Sequence, residues 1–165
     1  MNNLDNISLE IKDDTLIITG SGKIKFDSVK SNNDFSKVVI EEGITSIGDY
    51  AFEGCRNLKS VFIPDGVGEI GESAFCKCRN LESINIPDSV KKIKGSAFEE
   101  CESLKSVVLP DTLKDIGNYA FAGCKNLKIY TTRGSQAHRY AVDWKINVGL
   151  TDSPKKENKN KGYER

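Results

Sequence analysis

The stretch AFEGCRNL, residues 51–58, recurs three more times in this chain, each copy 23 residues after the last. The later copies are AFCKCRNL at 74–81, AFEECESL at 97–104 and AFAGCKNL at 120–127. Alanine, phenylalanine, cysteine and leucine keep their places while the residues between them vary. Agreement at a fixed period of this length is typical of a solenoid, in which each repeat forms one coil of a stack.

Upstream of each copy, two apolar columns separated by one variable residue predict a short β-strand with alternate side chains pointing inward. The columns are Val38, Val61, Ile84 and Val107, then Ile40, Ile63, Ile86 and Leu109. Two further apolar columns follow, Ile44, Val67, Val90 and Leu113, then Ile47, Ile70, Ile93 and Ile116. One repeat has too few apolar residues to bury a core of its own, so we expect stacking to cover them.

This pattern resembles the BspA-like branch of the leucine-rich repeat superfamily. It is spelled VFIPDGVGEIGESAFCKCRNL at 61–81, INIPDSVKKIKGSAFEECESL at 84–104 and VVLPDTLKDIGNYAFAGCKNL at 107–127, with the leading copy VVIEEGITSIGDYAFEGCRNL at 38–58. Two departures are visible: Glu41 stands where the other copies have proline, and Lys94-Gly95 stands where they place glycine first. Both fall in connecting segments, so they bear on local turn geometry and leave the fold expectation intact.

The expected fold class is an α/β-type repeat solenoid, a leucine-rich repeat with short parallel strands on one face and about four 23-residue repeats. We predict an N-terminal β-hairpin cap at 1–36, the solenoid at 37–132, a C-terminal helical cap at 133–150 and a disordered polar tail at 151–165. The hairpin turns at Asp13-Asp14, and the helix has Ser135 as its N-cap. A stack needs such caps because its end coils otherwise expose apolar surface.

Composition excludes several classes of function. Lysine plus arginine and aspartate plus glutamate both number 24, so no net charge recruits nucleic acid or an anionic membrane. No stretch approaches the roughly 20 apolar residues of a transmembrane helix. The start, MNNLDNISLE, shows no secretory signal, which leaves open a cytoplasmic protein or a piece of a longer exported one.

The cysteines predict packing rather than chemistry. Cys55, Cys78, Cys101 and Cys124 share one column, where parallel side chains suit neither a disulfide nor tetrahedral zinc, and small buried thiols are the simpler interpretation. Cys76 lies off this column, so we expect it to be exposed and reactive. The sequence predicts no metal and no cofactor.

The remaining polar candidates favour structural roles. An acidic column of Glu42, Asp65, Asp88 and Asp111 could bind calcium, but an aspartate after proline more often bonds its own turn. The segment TGSGKIK lacks the spacing of a phosphate-binding loop. His138, the one histidine, has no nucleophile paired with it by any motif. With no convergent acid, base, nucleophile or metal set, we predict that the chain is not an enzyme.

The outward row of the strands is the more informative surface. By alternation it comprises Val39, Phe62, Asn85, Val108 and Thr131, with Ser60, Ser83, Ser106 and Ile129 beside it. Apolar side chains such as Phe62 and Val108 suit a binding patch. Valine and phenylalanine also favour strands wherever they occur, so both interpretations stay open from sequence alone.

The resemblance implies bacterial or protozoan surface proteins associated with adhesion and host-protein binding, in which the strand side is the usual concave surface. We therefore predict a monomeric, non-enzymatic protein-interaction module that binds an unidentified protein and no nucleic acid. A cytoplasmic scaffold or regulator of the same fold is one alternative. An accessory binding domain of a larger protein is another.

Overall fold

The structure, a computed structural model of the chain, describes residues 6–25, 29 and 34–151. In this part the chain winds as a stack of coils, and successive coils pair edge to edge through mostly parallel strands. Residues 152–165 of the predicted tail lie outside the described residues. In chain order the elements are β1 (Ile7–Lys12), β2 (Thr15–Gly20), β3 (Gly22–Ile24), β4 (Lys37–Ile40), β5 (Ile44–Ile47), β6 (Ser60–Phe62), β7 (Glu69–Ile70), β8 (Ser83–Ile84), β9 (Lys92–Ile93), β10 (Ser106–Val108), β11 (Asp115–Ile116), β12 (Lys128–Thr132), α1 (Gln136–Asp143) and β13 (Asn147–Thr151).

Two faces of the stack carry strands, where the sequence predicts one. The first face holds a five-stranded sheet, β1-β2-β4-β6-β8, followed by a three-stranded sheet, β10-β12-β13. The second face holds a five-stranded sheet, β11-β9-β7-β5-β3, at the column of Ile47 and Ile70. The α/β description is corrected accordingly, because the second face consists of strands and the described residues contain one helix, α1, of eight residues. Strands of two residues are too short to show an alternating pattern in the sequence.

The repeated Ala-Phe segment forms a third hydrogen-bonded seam between coils. The backbone N–H of Phe52 donates to the carbonyl of Ala74 at 2.8 Å, and Phe75 donates to Ala97 at 2.8 Å. All four alanines of this column are almost fully buried. Their small side chains suit a place where neighbouring coils approach closely, which explains why the position does not vary.

The four repeated phenylalanines form one continuous stack inside the solenoid. Ring centroids lie 5.1 Å apart for Phe52 and Phe75, 5.3 Å for Phe75 and Phe98, and 5.0 Å for Phe98 and Phe121. The planes deviate from parallel by 6° or less. This stack and the flanking aliphatic columns make one contiguous core. The apolar columns predicted from the sequence are therefore confirmed as core.

A coil precedes the first AFxxC copy. β2 pairs in parallel with β4, and β3 pairs with β5, so the stack already includes residues before 37, the predicted start of the solenoid. Val29 and Phe35, one period before Phe52 and Leu58, are both buried in the core. This coil lacks the alanine and cysteine of the motif, which is why the sequence pattern does not mark it.

Both ends of the described chain have the predicted elements. β1 pairs antiparallel with β2 across Asp13-Asp14. At the other end, the Ser135 hydroxyl accepts a hydrogen bond from the His138 N–H and forms the N-cap of α1. Tyr140 lies with Ala137 and Ala141 on the buried side of α1, and its ring meets Phe121 edge to face at 6.1 Å.

Candidate protein-binding surface

The strand register places most of the predicted outward residues in one row on the first face. Val39 pairs with Phe62 across β4 and β6, and Val108 pairs with Tyr130 across β10 and β12. Phe62 is 50% exposed and Val108 62% exposed, while Val39 is half-buried. We call the outward side chains of Val39, Phe62, Asn85, Val108 and Tyr130 the strand-face row. Large apolar side chains with this exposure are the feature expected of a contact surface.

Thr131 and Ile129 do not lie where the sequence places them. Thr131 is 1% exposed and Ile129 is fully buried, so both point into the core. The last coil is one residue shorter, because Leu127 and Ile129 are two residues apart where Leu104 and Val107 are three apart. Tyr130 therefore takes the place predicted for Thr131. The sequence does show Ile129 and Thr131 alternating as inward residues would. Alignment at a fixed period instead assigned Thr131 to the outward row.

Tyr130 is held against the strand face by its neighbours. A Cβ atom added to Gly149 would lie 2.5 Å from the Tyr130 ring, so the ring covers the bare backbone of β13. The Lys128 Nζ lies 5.1 Å from the ring centroid on the same strand, a cation–π distance. These contacts fix the ring and leave part of it open to solvent.

The predicted serine row runs beside the strand-face row. Ser60 pairs with Ser83 across β6 and β8, and Ser106 pairs with Lys128 across β10 and β12. Ser83 and Ser106 are exposed and Ser60 is half-buried. The surface next to the apolar row is therefore polar, with small side chains that leave the strand backbone accessible.

Asn85 lies in the strand-face row, but its amide is turned toward the protein. Its Oδ1 accepts a hydrogen bond from the Ile63 N–H at 2.8 Å, and its Nδ2 donates to the Ile63 carbonyl at 2.7 Å. The ladder between β6 and β8 ends at the pair Val61 and Ile84, just before these bonds. The side chain thus replaces backbone pairing at the end of a short strand.

Beyond β8 the first face opens. β8 and β10 belong to different sheets and are not hydrogen bonded to each other as strands. A cleft of about 310 Å³ lies between them, lined by Glu82, Ser83, Ile84, Asn85, Ile86, Ser106, Val107 and Val108. Four of these, Ser83, Asn85, Ser106 and Val108, are also sequence-predicted binding residues. The cleft itself has no sequence signal, because nothing in the repeat pattern marks where a ladder stops.

Three thiols of the cysteine column, Cys55, Cys78 and Cys101, are buried as predicted, Cys124 is partly buried, and the column forms a ladder of thiol hydrogen bonds. The Sγ atoms of Cys78, Cys101 and Cys124 donate to the carbonyls of the phenylalanines one coil earlier, at 3.1, 3.2 and 3.1 Å. Burial raises the pKa of Cys55 to about 11 and that of Cys124 to about 12. All five cysteines are free thiols. The column thiols are poor nucleophiles near neutral pH because their raised pKa keeps them protonated.

Cys76 is a correction to the sequence analysis. It is buried, with 6% of its surface exposed, rather than exposed and reactive. Burial and then the carboxylates of Glu99 and Glu53 raise its pKa. The neighbouring coils cover the thiol and both of these acids disfavour the thiolate, which the position of Cys76 within its own repeat does not reveal.

The other polar candidates show no convergent chemistry. The His138 Nδ1 accepts a hydrogen bond from the Gly134 N–H at 2.9 Å, an interaction local to the start of α1. The TGSGKIK segment forms the end of β2, a bend and β3. Within the described ranges, no group of three histidine, cysteine, aspartate or glutamate side chains could hold a metal ion. The acidic column Glu42, Asp65, Asp88 and Asp111 is exposed throughout.

The Lys94 departure from the repeat pattern builds an ion cluster on the second face. The Lys94 Nζ lies 3.3 Å from the Asp49 Oδ1 and 3.1 Å from the Glu69 Oε1. Asp49 also accepts a hydrogen bond from the Glu72 N–H, which is the largest cause of its lowered pKa. Lys94 therefore links two preceding coils on the second face, away from the strands that carry the strand-face row.

The length and polarity of a helix decide whether it could span a membrane. Among the residues that the structure describes, none of the helical structure is long and apolar enough to cross a bilayer.

The stacked coils, the parallel ladders and the phenylalanine stack define a leucine-rich repeat solenoid. A family model described as the BspA type leucine rich repeat region (6 copies) matches residues 23–139. The chain belongs to this family, and the resemblance seen in the sequence is confirmed. The match extends beyond residues 38–127, the part of the chain that the four AFxxC copies and their strands mark.

Solved structures of bacterial leucine-rich repeat proteins share the fold. One from Eubacterium ventriosum is 25% identical with a TM-score of 0.60, covering 78% of this chain and 42% of that one. One from Bacteroides ovatus is 25% identical with a TM-score of 0.62, covering 76% of this chain and 39% of that one. The T. pallidum protein TpLRR is 24% identical with a TM-score of 0.54, covering 78% of this chain and 70% of that one. This chain thus spans about two fifths of the length of the first two structures. No curated protein matches the chain.

Proposed function

We propose that the chain is a non-enzymatic protein-interaction module that binds a partner protein through the strand-face row. The observation that carries this proposal is the exposure of Phe62 and Val108, 50% and 62%, on the two sheets that make up the first face. Contiguous apolar side chains at a protein surface mark interaction sites, and Val39 beside Phe62 and Tyr130 beside Val108 extend the two exposed side chains. Aromatic and aliphatic anchors of this kind dominate the energetics of protein interfaces.

The proposal includes a role at a bacterial cell surface or outside the cell, in adhesion or host-protein binding, as the family resemblance implies. A scaffold or regulator inside the cell is the alternative. The five free thiols are required by the intracellular alternative and permitted by the surface one, since four of them are buried.

A third candidate is an accessory binding domain of a longer protein. The coverage of only 42% and 39% of the E. ventriosum and B. ovatus chains favours it, because similar stacks occur there within longer chains. Sequencing the gene's flanks distinguishes this candidate from a free-standing module.

We also propose that β1 and α1 cap the stack and that the chain is monomeric. The Tyr140 ring of α1 covers Phe121, the last ring of the phenylalanine stack. A cap of this kind prevents end-to-end association of coils. Light scattering across a range of concentrations tests the monomer, and truncation before Ser135 should produce concentration-dependent assembly.

The test of the binding proposal is a cross-linking pull-down from the native cells and their surroundings. The bait proteins are the wild type and the double variant Phe62→Asp, Val108→Asp, used only if their melting curves match. We expect a partner that cross-links to the wild type and not to the double variant, since buried carboxylates would oppose an apolar contact.

The matched control is Val142→Asp, which places the same charge on an exposed valine of α1, away from the strand-face row. It should capture the partner as the wild type does. If the double variant captures the same partner equally well, the exposed row reflects strand propensity and the proposal is wrong.

A further inference from the structure

We propose that the cleft between β8 and β10 is a socket for an aliphatic side chain of an extended, uncharged peptide segment in the partner protein. This inference rests on the proposed function, because the socket interrupts the strand-face row. It adds where on that surface the partner is anchored and which chemistry anchors it.

The socket exists because the number of paired residues between successive strands of the first face decreases along the stack. Four residue pairs join β2 to β4, three join β4 to β6 and two join β6 to β8, and β8 and β10 are not neighbours in a sheet. On the second face, β7, β9 and β11 remain paired in sequence. The two coils are thus held together at the back while the front opens.

The floor of the socket is apolar and reachable from solvent. Ile84 and Ile86 are each 8% exposed, whereas Ile63, the counterpart of Ile86 one coil earlier, is 1% exposed. Val107 and Val108 are the other two apolar residues of the lining. The cleft volume of about 310 Å³ is at the lower end of the roughly 300 to 1,000 Å³ of ligand pockets. That is room for one or two side chains rather than for a cofactor.

The walls of the socket are strand edges. β8 and β10 do not pair with each other as strands, so a peptide can run across the opening between them. Asn85 provides an example in the same sheet, where a side-chain amide satisfies both backbone groups of Ile63. Cα atoms of β8 and β10 still approach within 8 Å, which leaves no room for a strand between them, so an extended peptide would run across the opening while one side chain reaches toward the floor.

The charges around the socket favour a neutral occupant. Glu82 is the one ionisable residue in the lining, and it forms no ion pair with another described residue. Lys59 and Lys105 hold the equivalent positions in the adjacent coils, so the rim carries both signs. A charged side chain would lose its hydration over the apolar floor, and the exposed, solvated carboxylate of Glu82 would offset little of that cost for a lysine.

The probe is a capped five-residue peptide with leucine at its centre and threonine on each side, titrated into the ¹⁵N-labelled full chain and followed by amide chemical shifts. We expect saturable shifts confined to residues 83–86 and 106–108. Peptides with glutamate or lysine at the centre should bind at least about tenfold more weakly, a difference of about 1.4 kcal/mol.

The matched variants are Ser106→Phe and Ser60→Phe. Both place the same ring in the serine row, but Ser106 lines the socket and Ser60 lies where β6 is paired on both sides. With amide spectra showing both variants folded, Ser106→Phe should weaken the leucine peptide at least about tenfold and Ser60→Phe less than about twofold.

The absence of a saturable shift up to about 10 mM of the leucine peptide overturns the socket. Shifts at Phe62 and Tyr130 without shifts in the socket also overturn it, while the proposed strand-face function survives. Socket shifts that Ser106→Phe abolishes support the socket. Because Val108 also lines the socket, the strand-face row is judged here by Phe62→Asp alone: if that variant retains the native partner, the proposed function fails alone.

Discussion

The side-chain amide of Asn85 forms two hydrogen bonds with the backbone of Ile63 in the preceding coil, at 2.8 and 2.7 Å. Bonds made in both directions by one amide fix its orientation, because the oxygen can only accept and the NH₂ group can only donate. The other members of the strand-face row are apolar or aromatic and cannot do this. Asn85 therefore ties β8 to β6 at the edge of the open cleft.

Replacing Asn85 by alanine should lower the free energy of unfolding by about 1 to 3 kcal/mol, because both Ile63 groups lose their partner in a partly buried place. Urea denaturation measures the change. Asn85→Asp should also destabilise, since it keeps the acceptor for the Ile63 N–H and sets a carboxylate oxygen against the Ile63 carbonyl. Asn126→Ala, at an exposed asparagine, is the control and should change little. Equal effects of Asn85→Ala and Asn126→Ala would show that the amide does not hold the strands.

Truncating Phe75 should test the phenylalanine stack. Its ring lies 5.1 and 5.3 Å from its two neighbours and is fully buried, so Phe75→Ala should cost about 3 to 5 kcal/mol and lower the melting temperature sharply. Phe62→Ala removes the same atoms from the exposed row and is the matched control. Its cost should stay below about 1 kcal/mol, since no cavity forms. Comparable melting temperatures for the two variants would contradict the stacked core.

Much of this fold could be predicted from the sequence, because the features that decide it are repeated. A column such as Phe52, Phe75, Phe98 and Phe121 appears in four copies, and stacking is the one arrangement that buries them all. The outward placement of Phe62 and Val108 follows from strand alternation with the same reliability. A single short strand leaves the inward or outward direction of its side chains uncertain, and agreement among four copies removes that uncertainty.

The features that the sequence did not predict depend on contacts between coils. Thr131 is buried because the last coil drops one residue, and the fixed period hid this change. Cys76 is buried by neighbouring coils, although its column holds Glu53 and Glu99 in adjacent repeats. The cleft between β8 and β10 arises where a ladder ends. None of these is a property of one repeat.

The burial of Cys76 predicts slow chemical modification. At about pH 8, iodoacetamide should label Cys76 of the folded protein many times more slowly than in denaturant, because burial and then Glu99 and Glu53 raise the thiol pKa. Peptide mass spectrometry over a time course measures the rate. Glu99→Gln removes the carboxylate with the largest effect on the Cys76 pKa and should speed labelling modestly. Labelling of Cys76 in the folded chain as fast as in denaturant would restore the exposed thiol expected from the sequence.

The cluster of Asp49, Lys94 and Glu69 predicts an acid-dependent loss of stability. The pKa of Asp49 lies below its ordinary value of 3.8, chiefly because the Glu72 N–H donates to its carboxylate and secondarily because Lys94 is close. A carboxyl whose pKa is lowered by folding stabilises the folded state above the unfolded pKa, and this contribution is lost as the pH falls through the folded pKa.

Asp49→Asn should therefore destabilise the protein at about pH 6 and have a smaller effect as the pH falls below about 3.8, measured by urea denaturation at each pH. The difference should stay below about 1 kcal/mol, because the group is partly exposed and solvent screens it. Lys94→Met is the matched comparison. Its free energy of unfolding should keep most of the wild type's pH dependence, since the bond from the Glu72 N–H to Asp49 remains. If the loss of stability at low pH disappears in Lys94→Met as fully as it does in Asp49→Asn, the lysine rather than the backbone bond sets the Asp49 pKa. If the effect of Asp49→Asn does not vary with pH, the Asp49 carboxylate contributes nothing to the coupling between these coils.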